Sequence, residues 1–231
     1  MTDWLGPQEW AAIRLSLRVA VVATICALPL AIWVAHLLAR KRFPGRQLLN
    51  GIVHLPLVLP PVVTGYLLLV VFGQQGPIGA LLSEHFGITV AFRWTGAALA
   101  AAIMAFPLMV RSIRIGIEAV DPGLEAAAAT LGASRARIFM TVTLPLVFPA
   151  VLAAAVLGFA KALGEFGATI TFVAAIPGQT QTIPSAIYGL LQVPGSEPAV
   201  LGLVTVSVIL AMGALLLSEW LARHMARKVG A

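Results

Sequence analysis

The chain has 231 residues, of which 60% are hydrophobic and 10% charged, with a mean hydropathy of +0.97. A water-soluble domain carries about 25% charged residues to keep its surface wet, so a soluble globule is excluded and lipid must solvate much of this chain. The formal net charge of +6 does not indicate nucleic acid either, because the cations sit in short clusters beside apolar runs and form no single basic face.

Residues 1–12 contain acids and no Lys or Arg ahead of the first apolar stretch, the opposite of a signal peptide. They are expected to remain as an external or interfacial segment. Trp10, Ile13 and Leu17 fall roughly on one helical face, with Trp4 just ahead of them, which suits a helix lying on the membrane surface. A membrane body over 13–221 follows, then a tail at 222–231. The first span is expected near 17–39: Val19 to Ala39 holds no charged side chain, enough to cross about 30 Å of hydrocarbon at about 1.5 Å per residue. Cys26, the single cysteine, lies inside this run, so no intrachain disulfide can form.

The second span is expected near 48–72, where Pro56, Pro60 and Pro61 remove backbone donors. Such a bend inside a membrane needs other protein or water to satisfy the freed carbonyls. Pro60, Pro61 and Thr64 are therefore candidates for a pathway wall or gate, with a packing kink as the alternative. Further spans are expected near 94–113, 144–163 and 199–220. Residues 166–194 also lack charge, but Pro177, Gly178, Pro184 and a Gln-Thr run break the second half, leaving a loop, a re-entrant piece or a sixth span. With the N-terminus outside, the inner segments hold eleven Lys or Arg and the outer ones only Arg14, Arg18 and Arg93. The expectation is an all-α polytopic protein of about five spans, N-terminus out and C-terminus in.

That topology puts 114–143 in the cytoplasm. There Asp121-Pro122 reads as an N-cap and first helical residue, "GLEAAAATL" as a thin helix, Gly132 as a left-handed C-cap, and Ser134 as the cap of a helix entering the membrane near Pro145. Small side chains let another backbone approach closely, so the first helix can insert into a partner's cleft; a plain re-entry turn is the competing explanation. Lys161 and Glu165, four apart, can pair on a helix. At membrane depth each ionisable group costs roughly 2.5–3.5 kcal/mol, so they form either a structural pair or a cation that draws a dianion along a pathway; Thr169 joins the pathway candidates.

Residues 125–145 resemble the cytoplasmic signature of binding-protein-dependent ABC importer permeases: E-A-A, three residues, G, nine residues, I, one residue, L-P. Ala127, Ala128, Gly132, Val142, Leu144 and Pro145 fall on that pattern, with valine for isoleucine. Aligned on Gly132, the motif's glutamate position is Ala126 and the carboxylate is Glu125, one residue or about 100° of helix rotation away. "HLPLVLPPVVTGYLLL" (54–69), "FPLMVRSIRIGIEAVDP" (106–122) and "LGEFGATITFVAAIPGQTQTIPSAIY" (163–188) look like the bacterial molybdate permeases, with the sulfate permeases more distant.

The resemblance implies a type I ABC importer permease fold in the bacterial inner membrane, importing molybdate or tungstate. It implies a second copy of the chain, two cytoplasmic ATPase subunits that bind the ATP and Mg, and a periplasmic molybdate-binding protein. It also implies that Glu125, Ala126, Ala127, Ala128, Gly132, Ala133, Ser134 and Arg135 couple to the ATPase. A sulfate-type permease and an ion-coupled carrier are the rival functions; a carrier is expected to show an internal repeat, and none is evident. The chain itself carries no P-loop, nucleophile motif or paired-carboxylate site, and His36, His54, His85 and His224 lack metal-ligand spacing. It is therefore expected to be no enzyme and to hold no cofactor.

Overall fold

The computed structural model describes residues 4–229, with side chains to 220. Among these residues there are eleven α-helices, one π turn and no strand: α1 (Pro7–Arg40), α2 (Arg46–Val58), α3 (Pro61–Phe72), α4 (Pro77–Phe86), α5 (Trp94–Ala119), α6 (Pro122–Thr130), α7 (Arg135–Ile138), the π turn (Phe139–Thr143), α8 (Leu144–Leu163), α9 (Gly167–Val173), α10 (Ile183–Leu190) and α11 (Glu197–Val229). Four helical stretches are long and apolar enough to cross a membrane: α1, α5, Arg135–Leu163 and α11. The bent pair α2–α3 makes a fifth if it counts as one span.

The centre is α5 packed between α1 and α8. Alanines line the contact: Ala97, Ala98, Ala100, Ala101 and Ala105 on α5 are buried against Ala20, Ala23, Ala31 and Ala35 on α1 and Ala154 on α8. Lipid tails are as apolar as leucine, so membrane helices gain by close van der Waals approach, which small side chains permit. Gly158 goes furthest, since a Cβ there would sit 2.6 Å from Met109 Sδ. Large apolar side chains point outward instead, among them Ile25, Leu30 and Trp33 on α1 and Val208, Ile209 and Met212 on α11.

Several expected boundaries move. No break falls at residue 12: α1 runs unbroken from Pro7. Its first turns are no surface helix either, because Ala12 and Ile13 are buried against Ile183 and Ala186 of α10 and Leu203 of α11, and Ser16 Oγ accepts a hydrogen bond from Ile183 N at 2.7 Å. At 34 residues α1 is about 51 Å long, well beyond the bilayer core. The third span continues to Ala119, and residues 135–143 are already helical, so the loop expected at 114–143 shrinks to α6 and its flanks. The expected tail begins inside α11, which extends to Val229.

The second span is not straight. α2 and α3 meet at a 114° bend. Pro61 cannot donate to the ladder, and its ring forces Pro60 into an extended conformation (φ −53°, ψ 134°). In residues 166–190 there are two short helices, α9 and α10, instead of a sixth span. Between them the chain turns around Thr180, whose Oγ1 accepts from Ile176 N at 3.0 Å.

Candidate functional site

Three long helices end at one place: α1 at Arg40, α5 at Ala119, and the path into α8 at Thr143. α6 follows directly on the end of α5 and is tied to the other two through Glu125. Asp121 accepts a hydrogen bond from Gly123 N at 2.8 Å and Pro122 takes the first helical position. At the other end Gly132 N donates to Ala129 O (3.0 Å) and Ala133 N to Ala128 O (3.2 Å), the paired bonds of a Schellman cap. Gly132 has φ +82°, and a Cβ there would meet nothing within 4 Å, so backbone conformation alone demands glycine. Ser134 Oγ then accepts from Arg137 N at 3.4 Å and opens α7.

Glu125 is the anchor. Arg40 Nε donates to Glu125 Oε1 at 3.2 Å and lies 3.2 Å from Oε2, while Thr143 Oγ1 donates to Oε1 at 2.8 Å. Arg40 Nη2 also donates to Val120 O at 2.9 Å, satisfying a carbonyl left over at the end of α5. Glu125 thus joins α6 to the end of α1 and to the π turn that leads into α8, while Arg40 ties the same cluster to the end of α5. The one-residue offset in the motif has its explanation here: Glu125 faces the protein, and Ala126 and Ala127 are exposed. Leu124 and Leu131 are exposed as well, the latter by 88%, and Ala128 is half-buried. α6 thereby offers a thin outward surface of small and apolar side chains. Ala133, Ser134 and Arg135 continue it beyond Gly132, with Ser134 and Arg135 exposed.

The pathway candidates gather around the packing of α3 against α9. Pro60 caps α3 and Pro61 begins it. A Cβ at Gly167 would lie 2.7 Å from Pro61 Cβ, and one at Gly65 would lie 2.5 Å from Ala168 O, so the two helices touch backbone to backbone. Thr64 is buried beside Gly65, and its Oγ1 has no hydrogen-bond partner among the described residues. Glu165, with a side chain 2% exposed, accepts from Lys161 Nζ at 2.9 Å and from Ala168 N at 3.0 Å, so it both pairs with α8 and caps α9. Thr169 Oγ1 donates to Phe166 O at 2.9 Å. Lys161 and Glu165 are therefore a formed ion pair, with both carboxylate oxygens engaged.

Sequence reasoning did not single out Arg40 and Thr143 as partners of Glu125, nor the contact of Asn50 Oδ1 with Arg114 Nη1 (3.1 Å) that ties α2 to α5. Arg40 was legible only as one of a basic cluster, and its partner lies 85 residues away. No group of His, Cys, Asp and Glu among the described residues is arranged to hold a metal.

Residues 27–231 match the family described as binding-protein-dependent transport system inner membrane component. The chain is 57% identical over 226 residues to the molybdenum transport system permease protein ModB of Escherichia coli K12, covering 98% of this chain and 99% of that one. It is 57% identical to the ModB protein of Haemophilus influenzae, covering 96% and 97%. The sulfate transport system permease protein CysT of Salmonella typhimurium is more distant, at 39% identity over 92% of this chain and 75% of that one. A bacterial ABC transporter that imports alginate has a chain of the same fold, with TM-score 0.75 at 20% identity, covering 100% of this chain and 82% of that one. Full-length similarity to transport permeases, the apolar helical spans and the alanine-rich signature on α6 agree: this chain belongs to the inner-membrane permease components of binding-protein-dependent transport systems.

Proposed function

We propose that the chain is the membrane-spanning permease subunit of an ATP-driven importer for molybdate, with tungstate, of nearly the same size and charge, following the same route. The observation that carries the mechanism is the anchored, outward-facing α6. Two copies form the pathway across the inner membrane, N-terminus out and C-terminus in. A periplasmic binding protein delivers the oxyanion, and two cytoplasmic ATPase subunits bind the ATP and Mg. The permease itself performs no chemistry.

In this account α6 seats in an ATPase cleft with Ala126, Ala127 and Leu131 outward. When the ATPase dimer closes, α6 moves, and Glu125 pulls on Arg40 of α1 and Thr143 at the base of α8. The π turn that ends at Thr143 supports this route, since such turns are local irregularities that recur at functional sites. From there α8 carries the displacement about 30 Å to Lys161 and Glu165, where α9 packs on the bent α2–α3 pair. Substrate identity follows from the similarity to the molybdenum permeases over the whole chain. The test is reconstitution into proteoliposomes with the ATPase and the binding protein: ATP should drive molybdate accumulation, and sulfate should compete weakly. Uptake that ignores ATP but follows an ion gradient would establish a secondary carrier instead.

A further inference from the structure

A cavity of about 390 Å³ opens beside the α6 anchor, within the range of about 300–1,000 Å³ for small-molecule clefts. Its walls carry Arg40, Lys41, Arg42 and Arg135, one carboxylate, Glu125, and His36. Glu125 is already engaged by Arg40 and Thr143. Lys41, Arg42 and Arg135 form no ion pair among the described residues, so three uncompensated cations converge on one hollow.

His36 supplies an independent sign. His54 and His85, also on helices, place Nδ1 on the carbonyl four residues back, at 2.8 Å to Asn50 O and 3.2 Å to Leu81 O. His36 Nδ1 is buried and has no hydrogen-bond partner among the described residues. Its ring is instead turned edge-on to Phe139, with centroids 4.7 Å apart. A buried polar nitrogen without a partner is costly and rare in a protein.

We propose that this hollow is a binding site for a tetrahedral oxyanion group, held by Lys41, Arg42 and Arg135, toward which the His36 ring turns to bring its now buried Nδ1 to the anion. Arginine presents parallel N–H donors that match phosphate-type oxygens, and lysine adds a mobile point charge. The group is either a free anion, such as phosphate or the transported oxyanion, or the phosphodiester of a lipid headgroup at the end of α1. Its position touching Glu125, α1 and α7 means that occupancy would stiffen the anchor of α6.

The test uses the full-length chain in lipid nanodiscs. One arm measures binding of inorganic phosphate, and separately molybdate, by equilibrium dialysis in discs of phosphatidylcholine alone. The other measures enrichment of spin-labelled phosphatidylglycerol over phosphatidylcholine around the protein. The variants are Lys41→Gln with Arg135→Gln, and Arg135→Gln alone in case the pair folds poorly; Arg111→Gln, an exposed cation off the cavity, is the control. A tenfold or greater loss in the double variant, with Arg111→Gln unchanged, is expected in one arm. The dialysis arm would identify a free anion and the lipid arm a headgroup. Equal binding by wild type and variants in both arms overturns the site, leaving His36 to water. An equal loss in Arg111→Gln also overturns it, as diffuse surface charge.

Discussion

At the scale of residues, Glu125 holds α6 in place. If it anchors α6 internally, Glu125→Gln and Arg40→Gln should behave alike. Each removes one side of a charged hydrogen bond that is partly exposed, a loss of about 1–2 kcal/mol, and the double variant should be little worse than either single one. Thermal unfolding of the purified chain measures this. Were Glu125→Gln alone to lose ATPase co-purification while Arg40→Gln kept it, the carboxylate would be touching the partner and not α1. Gly132 tests the neighbouring claim. Because a Cβ there is sterically free but φ is +82°, Gly132→Val should cost about 1–2 kcal/mol in the left-handed conformation, with Gly132→Asn milder; limited proteolysis at 130–135 would report the loosening. Asp121, Pro122, Gly132 and Ser134 were legible as caps because a cap is a local arrangement of a few consecutive residues. The partners of Glu125 were not, since a contact between Arg40 and Glu125 spans 85 residues and leaves no periodic trace.

At the scale of elements, the bent α2–α3 pair depends on its seat against α9. Gly65→Ala would put a Cβ within 2.5 Å of Ala168 O and 2.9 Å of Ala168 Cα, both backbone atoms that no rotamer change can relieve. A destabilisation of about 1–3 kcal/mol follows from such overpacking. It should appear as a lower unfolding midpoint and slower uptake, and an unchanged Gly65→Ala protein would mean that the two helices do not meet there. Tandem prolines announced a break near residue 60, but an apolar run with two prolines is compatible with a gentle kink or a 114° turn. Which one forms is decided by α9, through Gly65 and Gly167. The same limit applies to α9 and α10: an uncharged stretch of membrane length is equally consistent with a span until Thr180 is seen gathering the turn between them.

At the scale of the whole molecule, composition excluded a soluble fold, and the uncharged apolar runs along the chain located the four long helices and the bent pair. Orientation is the testable remainder. Gln75, Gln179, Arg42 and Ser134 are all exposed, so a cysteine at each reports its side of the membrane and not its burial. In a Cys26-free background, an impermeant thiol reagent added outside should label Gln75→Cys and Gln179→Cys but neither Arg42→Cys nor Ser134→Cys. Labelling of Ser134→Cys from outside would invert the protein and remove α6 from reach of a cytoplasmic ATPase.

The most direct test of the central claim, that α6 transmits ATPase closure to the membrane helices, is molybdate uptake by proteoliposomes containing the Ala127→Trp chain with the ATPase and binding protein. Ala127 is exposed and lies outside the long apolar spans, so the variant should insert and unfold like wild type. Uptake is predicted to fall at least tenfold while the ATPase subunits keep their hydrolysis in the absence of permease. Wild-type uptake by Ala127→Trp, and equally by Ala128→Trp, would contradict the claim and leave α6 as a turn between two spans.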